Sequence, residues 1–258
     1  MRTKRTMITR CGLAAAIIVV VSIHAKAQMT EYGNSHTLAV GVGIQNLKDE
    51  GLSLSDETLS SISLTWSFSN TTAWRKKSIL AGFERGVGNS AKNELRSNEF
   101  ILQYSNAFSI LKNKNGRWNN YTGYSVNVNP QYIKSGDQRS WASVNTLSLY
   151  NSLERKWQKS TLSLDLFIPL VGLGSRPETD KTYNGSSTGM LYNSFSNLEF
   201  TSWHNLKGVN LSLQYKQVVA ERLYVTAGAG YSYKNLSLTN RFQQQAYEVH
   251  AGLSYHLK

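Results

Sequence analysis

The chain has one cysteine, three prolines and, after its first two dozen residues, no long hydrophobic run. The single thiol, Cys11, excludes an intramolecular disulfide framework. No stretch beyond Val21 approaches the roughly 20 apolar residues of a membrane helix, so a helical membrane bundle is excluded. Proline is confined to Pro130, Pro169 and Pro177, which leaves nearly every backbone N–H free to donate in a sheet. Acids are also few, 16 against 28 Lys and Arg, for a net charge of +12. Residues 1–27 hold five basic residues and no acid, leaving +7 on residues 28–258.

Those first 27 residues have their own pattern. Arg2, Lys4, Arg5 and Arg10 precede the apolar run Leu13–Val21, and Ala25-Lys26-Ala27 follows. Basic, apolar, then Ala-x-Ala predicts a secretory signal peptide over residues 1–27, cleaved before Gln28. Cys11 lies inside it, after Ile8-Thr9-Arg10, unlike the Leu-small-small context of a lipoprotein site. The exported chain, residues 28–258, reads as one domain without a thiol. Nucleic acid is not expected as a partner of such a chain. Its surface Lys and Arg suit the anionic phosphates of membrane lipids better.

What the chain does have is alternation. In the C-terminal run, Tyr247, Val249, Ala251, Leu253, Tyr255 and Leu257 fall on every second position. Glu248, His250, Gly252, Ser254 and His256 lie between them. Period 2 is a β-strand with one apolar and one polar face. Eleven such segments are predicted, near 36–47, 58–69, 78–86, 97–110, 119–132, 143–154, 160–168, 194–205, 208–219, 222–234 and 246–257. Many reach the roughly 9–11 residues of a tilted membrane strand, beyond the 5–6 usual in soluble sheets. Small polar residues on the second face suit a wet lumen. The predicted fold is therefore all-β, an antiparallel up-and-down transmembrane barrel of about twelve strands, with ten as the alternative. Single-chain bacterial barrels have even numbers, so a twelfth strand would occupy 180–193. The 160–168 strand is expected to end by Pro169. Trp74, Trp118, Trp141 and Trp157, with Trp203, lie where an aromatic girdle would sit.

Taken together, the leader, the amphipathic strands, the aromatic ends and the final aromatic-rich strand resemble an outer-membrane β-barrel protein of a Gram-negative bacterium. The likeness is architectural and covers residues 34–258. One departure is the ending, where Tyr255 is followed by His256-Leu257-Lys258 and not by a terminal aromatic. The resemblance implies residence in the cell outer membrane and contact with membrane lipids, lipopolysaccharide being a candidate among them. Protein partners are not specified.

Chemistry is sparse. Ser202 and His204 stand two apart and would share a face on one strand. Glu248 and His250, with Ser254 and His256, form a second acid–base group. No family signature accompanies either. Ligand spacing for a metal is absent, no cofactor is expected, and Asp49-Glu50 with Asp56-Glu57 lacks a calcium-loop pattern and reads as a solvated loop. Gly41-Val42-Gly43 and Gly228-Ala229-Gly230 sit inside strands, where glycine relieves crowding. Alternation assigns Glu99, Gln103, Asp165, Glu199, Lys216, Glu248 and His250 to the lumen.

The leading expectation is a non-enzymatic barrel, either a small porin-like channel or a structural envelope protein. Alternatives are a surface barrel hydrolase acting on lipid or peptide, or an accessory part of an envelope assembly or secretion machine. Connections 70–77, 111–118 and 155–159 are short and basic and are expected at the periplasmic end. Connections 48–57, 87–96 and 133–142, with the stretch after Pro169, are expected to form longer loops opposite them.

Overall fold

The computed structural model describes residues 33–90, 93–112, 118–176, 198–238 and 240–257. The expected leader, its cleavage site and the segment 180–193 lie outside these residues. The strands are β1 (Gly33–Asp49), β2 (Leu54–Thr71), β3 (Arg75–Ser90), β4 (Asn93–Lys112), β5 (Trp118–Val128) and β6 (Pro130–Ser135). They continue as β7 (Gln138–Lys156), β8 (Ser160–Ser175), β9 (Glu199–Thr201), β10 (Leu206–Ala220), β11 (Leu223–Ser237) and β12 (Arg241–Leu257). A single 3-10 turn, Glu50–Leu52, joins β1 to β2.

All pairing is antiparallel, and β12 returns to β1 from Asn34↔Leu257 to Asp49↔Phe242. The sheet is thus a closed barrel of ten staves within twelve strands. β5 and β6 form one stave, since both pair with β4 on one side and β7 on the other. The break falls at Asn129, before Pro130, which has no N–H to donate. β9 lies along the end of β8 without forming a stave. The strand expected over 194–205 is therefore three residues long among the described positions, followed by a turn at 203–205.

Proline 169 does not end its strand. β8 runs through it to Ser175 because the ladder shifts there: Ser148 pairs with Pro169 and Leu147 with Val171, leaving Leu170 as the extra residue of a bulge. On the other side of β8 the pairing with β10 stops at Phe167 and that with β9 begins at Gly172. Pro169 thus occupies a gap where no neighbour needs its missing donor.

With ten staves, Gly33 and Leu257 lie at one end, called proximal here. The turns at 72–74, 157–159 and 221–222 are also proximal. At the distal end the expected long loops are short, because pairing runs on through them: β3 meets β4 as far as Ser90↔Asn93, and β6 meets β7 as far as Ser135↔Gln138.

Side-chain polarity divides the barrel into two zones. In the proximal zone the outward face is apolar over nine to eleven residues of several strands. Leu38, Val40 and Ile44 on β1, Phe100, Leu102, Tyr104, Phe108 and Ile110 on β4, and Tyr247, Val249, Leu253, Tyr255 and Leu257 on β12 are all exposed. That height matches the hydrocarbon crossing of a tilted strand. The inward face here is mainly Ser, Thr, Gly and charged residues, with Leu80, Ile101, Tyr150 and Phe167 among them. In the distal zone the sense reverses. Thr58, Arg85, Glu94 and Arg96 point outward, while Leu47, Leu59, Leu95, Ile133, Val144, Leu206, Leu236 and Phe242 are buried together inside. The distal third has the polarity of a water-soluble barrel. Asp49, expected in a solvated loop, is buried there beside Arg176, whose guanidinium lies 5.2 Å from the Phe242 ring centre.

The aromatic girdle forms mainly at the proximal rim. Trp74, Trp118 and Trp157 are exposed, and the Arg155 guanidinium sits 5.1 Å from Trp118 and 4.9 Å from Trp157. Trp203 is exposed at the distal end, but Trp141 departs from the expectation. It is buried, with only 6% exposure, and its carbonyl accepts a hydrogen bond from Arg176.

Candidate functional site: the barrel lumen

Because residues of one parity face inward on each strand, the interior collects polar groups that are far apart in sequence. The proximal and middle lumen enclose a cavity of about 380 Å³. It is lined by six of the seven residues that alternation assigned there: Glu99, Gln103, Asp165, Lys216, Glu248 and His250. Glu199 is not among them. It lies exposed on β9, outside the ring, in a strand that covers Glu199–Thr201 among the described residues.

The middle of the lumen is crossed by an ion pair. Lys234 Nζ on β11 meets Glu99 Oε1 on β4 at 2.5 Å, and Gln244 Nε2 donates to Glu99 Oε2 at 3.0 Å. β4 and β11 are the fourth and ninth of ten staves, directly across the ring. Their side chains, 3% and 14% exposed, meet there without an intervening water layer. Glu84 faces Glu99 across the β3–β4 ladder, so two carboxylates lie side by side on this wall of the lumen.

Glu248 accepts a hydrogen bond from Ser63 on β2. A Cβ at Gly41 would overlap the Glu248 carboxylate, and one at Gly228 would come 2.5 Å from His250 Nε2. These glycines keep the wall thin where the acid and the imidazole lie. A second cluster lies nearer the proximal mouth. Lys76 Nζ meets Glu154 Oε1 at 2.7 Å and Asp165 Oδ1 at 3.5 Å, and donates to Ser152 Oγ at 2.9 Å. Tyr150 OH donates to Asp165 Oδ1 at 3.1 Å. Lys76 had been grouped with a basic connection, but β3 already begins at Arg75, so Lys76 turns inward and only its neighbours Arg75 and Lys77 face out.

These contacts draw β3, β4, β7, β8, β11 and β12 together across the interior. Distal to them the apolar cluster around Leu95, Ile133 and Phe242 fills the bore. No protein-family model matches the chain, and no curated protein matches it in sequence. Among solved structures, the outer membrane protease OmpT from Escherichia coli superposes with a TM-score of 0.52 at 7% identity, over 91% of this chain and 99% of that one. This chain has the outer-membrane β-barrel fold. At that identity the likeness is one of fold alone. The translocator domain of the autotransporter NalP from Neisseria meningitidis gives a TM-score of 0.47 at 11% identity over 98% of each chain. The β domain of the Bordetella autotransporter BrkA gives 0.41 at 11% identity, over 87% of this chain and all of that one.

Within this outer-membrane fold the two acid–base candidates separate. Ser202 and His204 do not share a strand face. Ser202 follows the end of β9, its carbonyl accepts from Asn205 and Leu206 N–H groups, and His204 is exposed in the turn. Glu248 and His250 do share the lumen face, as does His256, whose ring lies 4.7 Å from that of Tyr224. Among the described residues no group of three or more His, Cys, Asp or Glu could hold a metal ion. Sequence reasoning missed Lys76, Glu84, Glu154 and Lys234 as lumen residues. Their signal was parity: Lys234 alternates in phase with Gly228, Gly230 and Ser232, and Lys76 in phase with Ser78, Gly82 and Glu84.

Proposed function

We propose that this protein is a non-enzymatic barrel of the Gram-negative outer membrane that serves as a closed structural element of the envelope and not as an open channel. The supporting observation is the lumen itself, crossed by the Glu99–Lys234 pair and filled distally by the Phe242 cluster. A diffusion pore needs a continuous water column, and this bore is interrupted twice in series. The cavity that remains is blind and opens towards the proximal rim. The apolar proximal wall supports placement in a bilayer, and the leader pattern predicted from residues 1–27 supports export. The proximal end, with its short turns at 72–74, 157–159 and 221–222, is assigned to the periplasm. The distal extension, with its polar outer wall, is assigned to the cell exterior.

The test is electrical. Purified protein, folded in detergent and shown to migrate differently before and after boiling, is added to planar bilayers. The expected record is a flat baseline. Reproducible unitary conductance steps would contradict the reading. Recovery of the protein from the soluble periplasm, with no heat-dependent mobility change, would end the membrane placement as well.

A further inference from the structure

Towards the proximal mouth of the cavity, four polar side chains fall on one row of the ladder. Lys156 on β7 pairs with Thr161 on β8, Thr161 with Lys216 on β10, and Lys216 with Thr226 on β11. Lys156, Thr161 and Lys216 line the cavity, and Thr226 is fully buried on the lumen parity of β11, in phase with Gly230. Two ammonium groups therefore flank one threonine on the same stretch of inner wall. His256 on β12 also lines the cavity and lies close enough to both lysines to feel their charge.

The acids of this region bond to other groups. Glu154 and Asp165 meet Lys76 at 2.7 and 3.5 Å, and Asp165 also accepts from Tyr150. Lys216 lies within electrostatic range of both acids, yet it makes no hydrogen bond and no ion pair among the described residues. Two buried polar atoms beside it, Thr226 Oγ1 and His256 Nδ1, have no hydrogen-bond partner. The His256 ring is fixed against Tyr224, 4.7 Å away. An ammonium, a hydroxyl and an imidazole nitrogen can each donate to an oxyanion, and such charge-assisted bonds are the strong ones. On the facing wall Thr37, Thr65, Ser67 and Ser69 line the same cavity. A hydroxyl has one donor and two acceptor sites, so a pair such as Ser35 and Ser69 at 2.7 Å keeps capacity for a guest. At about 380 Å³ the cavity is larger than a bare ion needs and has the size of a small-molecule site.

We propose that the blind lumen is a binding site for a small hydroxylated oxyanion, a phosphate monoester or a carboxylate, that enters through the proximal mouth. Lys216 and His256 hold the anionic group, with the Thr226 hydroxyl beside Lys216. Lys156 adds its field, and the hydroxyls of β1 and β2 face the body of the molecule. The site goes beyond the closed-barrel reading and rests on it in one respect: with the distal bore filled, the ligand leaves by the mouth it entered.

The probes are glucose 6-phosphate, gluconate and glucose, titrated calorimetrically into full-length mature protein folded in detergent and checked by its heat-dependent mobility. At least one of the two anions is expected to bind and glucose is not; the tighter anion identifies the head group. Lys216→Met is expected to weaken that binding by roughly ten- to a hundredfold, the loss of a hydrogen bond to a charged group. His256→Phe, which keeps a ring against Tyr224 and removes both nitrogens, is expected to weaken it about fivefold. Lys134→Gln, on the outward face of β6, is expected to change nothing. Failure of the folded wild type to bind either anion overturns the site, as does binding of glucose with equal affinity. A folded Lys216→Met variant with wild-type affinity also overturns it; should that variant fail to fold, His256→Phe with wild-type affinity does so instead. A flat bilayer record without anion binding overturns the site alone. Conductance steps from a protein that binds the anion through Lys216 overturn the closed barrel and leave the site standing.

Discussion

Replacing Lys234 with methionine tests the strut that crosses the lumen. The substitution keeps most of the length of the side chain and removes its charge. Glu99 would then keep two neutral partners, Gln244 at 3.0 Å and Asn129, and would face Glu84 across the ladder. Removing one partner of a buried pair costs about 3–5 kcal/mol, because the remaining charge is stranded. Glu99, at 3% side-chain exposure, meets that condition. For a domain of this size 1 kcal/mol corresponds to about 2–4 °C in the unfolding midpoint, so the expected loss is roughly 6–20 °C. The assay is the temperature at which the compact gel band converts to the unfolded one. The double variant Lys234→Met/Glu99→Gln, which strands no charge, is expected to recover most of the loss. Lys234→Met that converts at the wild-type temperature would refute the strut, and so would a double variant that sums the two single losses.

Four further outcomes are expected. Leu164→Arg should impair assembly, since a charge on the lipid face costs about 2–4 kcal/mol at mid-membrane. Ser163→Arg, which lines the cavity, should assemble; equal yields of the two folded barrels would contradict the register. Phe242→Ala should cost about 3–5 kcal/mol as a large-to-small core change, read as a lower conversion temperature. Gly123→Ala should misassemble, because the added Cβ would lie 2.6 Å from the Ala107 Cα and overlap the Asn106 carbonyl, both of them backbone; a normal yield of heat-modifiable barrel would count against this packing. For orientation, Asp137→Cys is expected to react with an impermeant thiol reagent on intact cells and Ala73→Cys is not. The reverse labelling would invert the assignment of the two ends.

Alternation made the membrane wall legible, because lipid outside and water inside impose a strict period of two. Leu162, Leu164, Leu166 and Ile168 could be read directly, and so could Glu99, Gln103 and Glu248 on the opposite parity. Strand length was underestimated for a physical reason. Beyond the bilayer the outside turns polar and the inside apolar, so segments such as 45–49, 54–60 and 93–99 lose the expected phase while remaining strands. Leu47, Leu59 and Leu95 fall on the lumen parity, and that misplaced hydrophobicity was the available sign of a filled distal bore. The Ser202–His204 pair failed because two-residue spacing implies a shared face only inside a strand, and β9 stops at Thr201. Lys234–Glu99 was invisible in sequence, since only ring closure makes positions 135 residues apart meet.

Phe242 belongs to β12, the strand that completes the ring, while its neighbours in the distal cluster come from β1, β2, β4, β6, β7, β10 and β11. An open sheet of the first eleven strands therefore has no stopper, only a greasy hollow that water can enter. Docking of the last strand seals the lipid seam and dries that hollow in the same event. A slip of two residues along β1 would leave the outward face apolar and satisfied, yet carry Phe242 out of its socket and Gln244 away from Glu99. The bilayer cannot distinguish those two seams. The interior can, so the distal plug acts as the proofreader of closure.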